Sequence, residues 1–110
     1  MSGLPDDHPV RVERMLLALD GLSIGDAFGE RFFGRDAVME AAIAAREVPA
    51  PPPWRTTDDT EMALAIAEQL GRRGAIEVDA LARAFARRYQ LDPYRGYGGT
   101  AHDILRAIGE

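Results

Sequence analysis

The sequence contains no cysteine, which excludes disulfides, thiolate nucleophiles, zinc fingers and iron–sulfur clusters together. It contains no lysine either, all 13 basic residues being arginine, so Schiff-base chemistry and lysine-dependent phosphate loops are excluded. The two histidines, His8 and His102, lie at opposite ends of the chain, and a histidine-based triad or histidine-rich metal site is not expected. No uninterrupted apolar run approaches the length needed to span a bilayer. Met1 to Pro9 is acidic and lacks the basic-then-apolar pattern of a signal peptide. A cytoplasmic protein without a membrane partner is expected. Acidic residues outnumber basic ones 18 to 13, for a net charge of -5, so nucleic acid is not an expected partner, because phosphate backbones are bound mainly by clustered cations.

What is present is the composition of a folded chain: 46% hydrophobic and 28% charged residues over 110 positions, enough for one domain with a modest core. The pattern is helical throughout, with no alternating strand signature, no repeat and no low-complexity tract. Val12, Leu16 and Leu19 put an apolar stripe on a first helix over Val10 to Leu22. Gly21, Gly25 and Gly29 follow at intervals of four; in a continuing helix they share one face, and they read as close packing or a break in the helix, or else as a surface lining a ligand. Asp26, beside Gly25, is the polar residue there that most needs a partner.

Asp36 is placed to cap a second helix from Ala37 to Arg46. The proline-rich stretch Val48 to Pro53 then forms a stiff loop, with Trp54 able to pin it to the body of the domain. Thr57 opens a third helix whose apolar face is Met62, Ala63, Ile66, Ala67 and Leu70, closed by Gly71 and Gly74. A fourth helix is expected after a cap at Asp79, with Leu81, Ala82, Phe85 and Tyr89 buried. Asp92 to Gly99 is a loop by composition. Thr100, with Asp103 three residues later, reads as the cap of a fifth helix carrying Ile104, Leu105 and Ile108.

Thr57-Asp58-Asp59-Thr60-Glu61 is the most informative stretch. A hydroxyl followed by acidic residues is an ordinary helix start, since free N–H groups and the positive dipole end favour oxygen and negative charge. Two adjacent carboxylates, however, repel each other more than capping requires. With the Thr57 hydroxyl they offer three hard oxygen donors just outside one helix terminus, a set suited to Mg²⁺ or Mn²⁺. Three consecutive residues cannot complete an octahedron, so water, substrate or a second ligand group must fill the rest.

Gly21-Leu22-Ser23-Ile24-Gly25-Asp26-Ala27-Phe28-Gly29, then Trp54-Arg55-Thr56-Thr57-Asp58-Asp59-Thr60-Glu61-Met62-Ala63, then Arg95-Gly96-Tyr97-Gly98 resemble, in order and separation, the N-terminal part of the ADP-ribosylglycohydrolase family. The resemblance covers essentially the whole chain. It implies an all-α fold, a multi-helix orthogonal bundle represented by its N-terminal helices, with residues 1–110 forming part of a single domain. It also implies a centre of two Mg²⁺ (or Mn²⁺) ions that cleaves the glycosidic bond joining ADP-ribose to a protein side chain or small conjugate. Thr57, Asp58 and Asp59 match the first group of metal ligands; the second group, an Asp-x-Asp-Thr-like motif in the family, has no counterpart in these residues.

The acidic residue that some relatives carry four positions after the last glycine of the Gly-Asp-Ala-x-Gly segment is Phe33 here. Glu30 is the nearest carboxylate: a surface residue, or a substitute catalytic group. Gly96, Tyr97, Gly98 and Gly99 resemble a segment lining the ADP-ribose cleft, where glycine N–H groups approach a phosphate and Tyr97 stacks; an ordinary helix connection is the alternative. The resemblance thus points to a metal-dependent hydrolase of which this chain is an incomplete, inactive or weakly active part. Two other readings are a non-catalytic ADP-ribose-binding or structural member of the same fold, and a helical protein-interaction domain. Apolar helix faces made to pack against further structure imply self-association.

Overall fold

The computed structural model describes residues 3–34 and 36–110. It is helical, with no strand among the described residues, and its elements are α1 (His8–Glu30), α2 (Ala37–Ala45), α3 (Asp58–Arg73), α4 (Val78–Leu91) and α5 (Gly99–Gly109). None of the helices is long and apolar enough to cross a membrane. Packing runs as a series, α1 on α3, α3 on α4 and α4 on α5, while α2 stands outside it.

The first helix does not stop near Leu22. It runs on through all three glycines to Glu30, and a Cβ added at Gly21, Gly25 or Gly29 would meet nothing within 4 Å. Close packing is therefore not the reason for these glycines. Asp36 caps α2 as expected, its carboxylate accepting from Met39 N–H at 2.8 Å, and the helix ends one residue early because Arg46 turns left-handed at φ 56°. Trp54 does pin the proline loop: its Nε1–H donates to the Ala50 carbonyl at 3.0 Å, and its ring meets Phe28 edge-on at 5.9 Å.

The ends of α3, α4 and α5 also differ in detail from the sequence reading. Gly71 lies inside α3, where its carbonyl accepts from His8 Nε2 at 2.9 Å; Gly74, at φ 71°, alone ends the helix. A side chain at Gly74 would press on Pro5 at 2.9 Å, so this glycine also seats the N-terminal segment. The cap of α4 is Glu77, not Asp79, because the longer carboxylate reaches both Asp79 N–H (3.0 Å) and Ala80 N–H (2.7 Å). Those bonds hold the Glu77 carboxyl below its ordinary range. The cap of α5 is Gly98, with Thr100 already inside the helix.

The core is small. Tyr89, Tyr97 and Leu105 are buried together, with Met62, Phe85 and Ala101 against them. On α4 the buried residues are Ala80, Ala84, Ala86 and Tyr89, whereas Leu81, Ala82 and Phe85 are half-buried. Alanine is the side chain that lets α4 fit between α3 and α5. Arg88 ties α4 to α3 through Glu61 at 3.1 Å.

Candidate functional site

The site begins with Asp26, on the last turns of α1. One carboxylate oxygen accepts the Thr57 hydroxyl at 2.7 Å; the other accepts Thr57 N–H at 2.7 Å and the Thr60 hydroxyl at 2.6 Å. Thr57 and Thr60 are both buried. Burial by itself pushes the Asp26 carboxyl up, but the bonds from Thr60 and Thr57 outweigh it and hold the group below the ordinary aspartate value. A negative charge is thereby fixed against the start of α3, where the helix dipole favours it.

This network commits Thr57. Its O–H is donated to Asp26, one lone pair accepts Asp59 N–H at 3.2 Å, and a second lone pair remains. Asp58 N–H donates to the Arg95 carbonyl at 2.7 Å, which brings the 92–98 loop against the same helix end. Arg95 reinforces the join: Nη1–H donates to the Thr56 carbonyl at 2.8 Å, and Nε–H donates to Asp92 at 2.8 Å. Gly96, at φ 92°, turns the chain past Asp58 in a conformation that side-chain-bearing residues rarely adopt.

A cleft of about 370 Å³ opens between these elements. Gly25, Asp26, Gly29 and Glu30 form its α1 wall, and Thr57, Asp58 and Asp59 its α3 wall. Phe33 and Gly96 complete the lining. The open face of Gly25 and Gly29 is therefore a cleft wall, not a packing surface. Desolvation raises the Asp59 carboxyl above its ordinary value, and the neighbouring Asp58 and Asp26 charges raise it further. No arginine pairs with Asp58 or Asp59 among the described residues.

Such a cluster suits a hard cation: oxygen donors gathered in a concave site, under mutual repulsion that a divalent ion relieves. The set is one-sided. Among the described residues, no three histidine, aspartate or glutamate side chains converge closely enough to hold an ion by themselves.

The sequence-derived site residues fall into two groups. Thr57, Asp58, Asp59, Glu30 and Gly96 meet at the cleft. Tyr97 does not. It is 6% exposed, with its ring edge-on to Tyr89 at 5.1 Å and to His102 at 6.0 Å, so the expectation that it stacks on a ligand is corrected: it is a core residue. Its hydroxyl has no hydrogen-bond partner, and burial together with the Glu61 and Asp58 charges raises it above the ordinary phenol value. Gly98 and Gly99 start α5. Asp26 and Thr60 are the residues whose partnership the sequence reading missed; the unexplained polarity of Asp26 was the available signal.

An all-helical chain with two distant sequence segments closed around one acidic cleft defines the class. Comparison with known proteins makes it specific. The ADP-ribosylglycohydrolase family model matches residues 7–110, and the chain belongs to that family. It is 33% identical to bovine (Bos taurus) ADP-ribosylhydrolase ARH3 over 99 residues, which cover 80% of this chain and 27% of the relative. It is also 33% identical to the mouse (Mus musculus) ADP-ribosylhydrolase ARH3 over 108 residues, covering 88% of this chain and 29% of the relative. The chain thus spans less than a third of the length of these curated relatives. No solved structure matches it.

Proposed function

We propose that this chain carries the first group of metal ligands of a hydrolase that removes ADP-ribose from modified protein side chains or small conjugates. The observation that carries the reading is the closure of α1 and α3 around one cleft through Asp26, which sets Thr57, Asp58 and Asp59 opposite Glu30. Family membership supplies the class of reaction.

Thr57, Asp58 and Asp59 would hold Mg²⁺ or Mn²⁺, two ions in the complete site. Bound divalent ions supply Lewis acidity, polarising sugar hydroxyls and acidifying water near an anomeric carbon. The chain's own residues supply position and charge. Asp26 takes the Thr57 proton into a hydrogen bond and leaves the free lone pair of that oxygen as the donor. Asp58 and Asp59 provide two negative charges that no arginine pairs among the described residues. Glu30, on the α1 wall, is the carboxylate available to exchange a proton across the cleft. Phe33, where some relatives carry an acid, is 83% exposed and contributes no ligand.

With one ligand group, these 110 residues are expected to bind a single ion weakly and to turn over little or no substrate. Calorimetric titration with Mg²⁺ and Mn²⁺ tests the reading, run on the chain and on an Asp58→Asn, Asp59→Asn double variant of unchanged helicity. Saturable binding lost in the double variant is the expected result. Equal heats in both proteins would leave Thr57 to Asp59 as a helix cap and favour the helical interaction domain.

A further inference from the structure

The lining of the acidic cleft is glycine, threonine and carboxylate apart from one large apolar side chain, Phe33. Gly25, Gly29 and Phe33 recur there at intervals of four, so they share a face as far as the helical path continues. It does continue past α1: Arg31, Phe32 and Phe33 donate their N–H groups to the carbonyls of Phe28, Gly29 and Glu30 at 3.1, 3.0 and 3.2 Å. Gly34, at φ 135°, then redirects the chain. The two glycines leave a bare backbone floor, since a Cβ at either would meet nothing within 4 Å, and Phe33 stands at the end of it. Phe28 packs on Phe32 at 5.1 Å and on Trp54 at 5.9 Å, whereas Phe33 is the most exposed of the four phenylalanines. An aromatic ring held in water gains free energy when a ligand covers it, and ligand sites combine such walls with a few placed polar groups.

We infer that Phe33 is the apolar wall of the acidic cleft, packing on the C–H face of a sugar ring that lies along Gly25 and Gly29 with its hydroxyls toward Asp58 and Asp59. A ribose ring is two-faced in the way this requires: its 2- and 3-hydroxyls project from one face, and the C–H bonds at the same carbons project from the other. The carboxylates of α3 and the aromatic end of the glycine floor match those two faces. Phe33 is thereby a specificity-determining residue. Carboxylates, and an ion held by them, accept any vicinal diol, whereas the aromatic ring adds affinity only for a diol carried on a ring. The wall stands on the geometry of the cleft, and its use in the reaction rests on the function proposed above.

The test is NMR titration of the chain and of its Phe33→Ala and Phe33→Tyr variants, in excess Mg²⁺, with ADP-ribose, ribose 5-phosphate and the ring-free diol glycerol 3-phosphate. Mg²⁺ binding to each protein is measured separately by calorimetry. Phe33→Ala is expected to weaken ADP-ribose and ribose 5-phosphate about tenfold, and Phe33→Tyr to retain both. Glycerol 3-phosphate and Mg²⁺ should bind all three proteins alike. Cross-relaxation from the Phe33 ring to ribose C–H protons is the direct signature of the contact. Equal ADP-ribose affinity in wild type and Phe33→Ala, equal weakening of glycerol 3-phosphate, cross-relaxation to adenine alone, or no ADP-ribose binding would each overturn the wall. If Mg²⁺ still binds through Asp58 and Asp59, only the Phe33 contact falls. Phe33-dependent ADP-ribose binding in a chain that takes up no Mg²⁺ would instead overturn the metal reading and uphold the wall.

Discussion

Asp26 contributes more to the site than any residue that faces it, because a single carboxylate joins two helices and sets the hydrogen-bonding role of Thr57. Asp26→Asn puts an amide donor where hydroxyl and N–H donors already point, and is expected to cost about 1–3 kcal/mol at neutral pH, measured by urea unfolding. Because the folded-state pKa of Asp26 lies below its unfolded value of 3.8, its contribution is fully present above that value and fades as pH falls through the lower, folded one. The gap between wild type and variant should therefore close in strong acid.

Asp59 has the opposite sign. Its folded-state pKa is raised, so ionising it opposes folding, and the penalty grows as pH rises through and above 3.8. Asp59→Asn is expected to leave metal-free stability unchanged or improved at neutral pH, and a clear loss of stability would point to a capping role. The sequence showed which acids gather at the start of α3, but not that Asp26 reaches them, since a bond between residues 26 and 57 depends on how α1 lies across α3. The burial of Tyr97 was equally hidden: an aromatic in a glycine loop reads as exposed, and only the docking of α4 on α5 turns it inward.

At the level of elements, periodicity located all five helices, and three of their ends followed from capping chemistry at Asp36, Thr57 and Gly74. The N-termini of α4 and α5, which differed, share a cause. Glu77 and Asp79, or Gly98 and Thr100, are rival caps two residues apart, and the choice rests on which backbone geometry the packed helix presents. The length of α1 was also not legible, because three glycines weaken a helix that tertiary contacts nevertheless retain. Gly21 tests that account. With open space around its added Cβ, Gly21→Ala is expected to stabilise the chain by about 0.5–1 kcal/mol, read as a raised Tm. Gly96→Ala should lower stability by about 1–3 kcal/mol, since φ 92° is strained for alanine.

The whole molecule is thin and extended, 58 × 36 × 18 Å with a radius of gyration of 17.1 Å, against about 13 Å for a compact chain of this length. No large side chain is completely buried among the described residues, while Leu17 and Ile24 on α1 are each 68% exposed. An open apolar groove also runs between α1 and α3, lined by Met15, Leu19, Ala63 and Ile66 among others. The apolar face read for α3 is real, but α1 covers it only in part. Concentration-dependent self-association in sedimentation velocity is the expected behaviour, and a monomer throughout would show that these faces tolerate water.

Paramagnetic NMR decides whether α1 and α3 hold a divalent ion in one cleft, as proposed. Substoichiometric Mn²⁺ broadens only amides close to the bound ion. Joint broadening of Gly25, Gly29, Asp58 and Asp59, abolished in the Asp58→Asn, Asp59→Asn variant, is the result that the proposed function predicts. Broadening spread over unrelated acidic positions such as Asp6 and Asp103, or confined to α3 without α1, would contradict it.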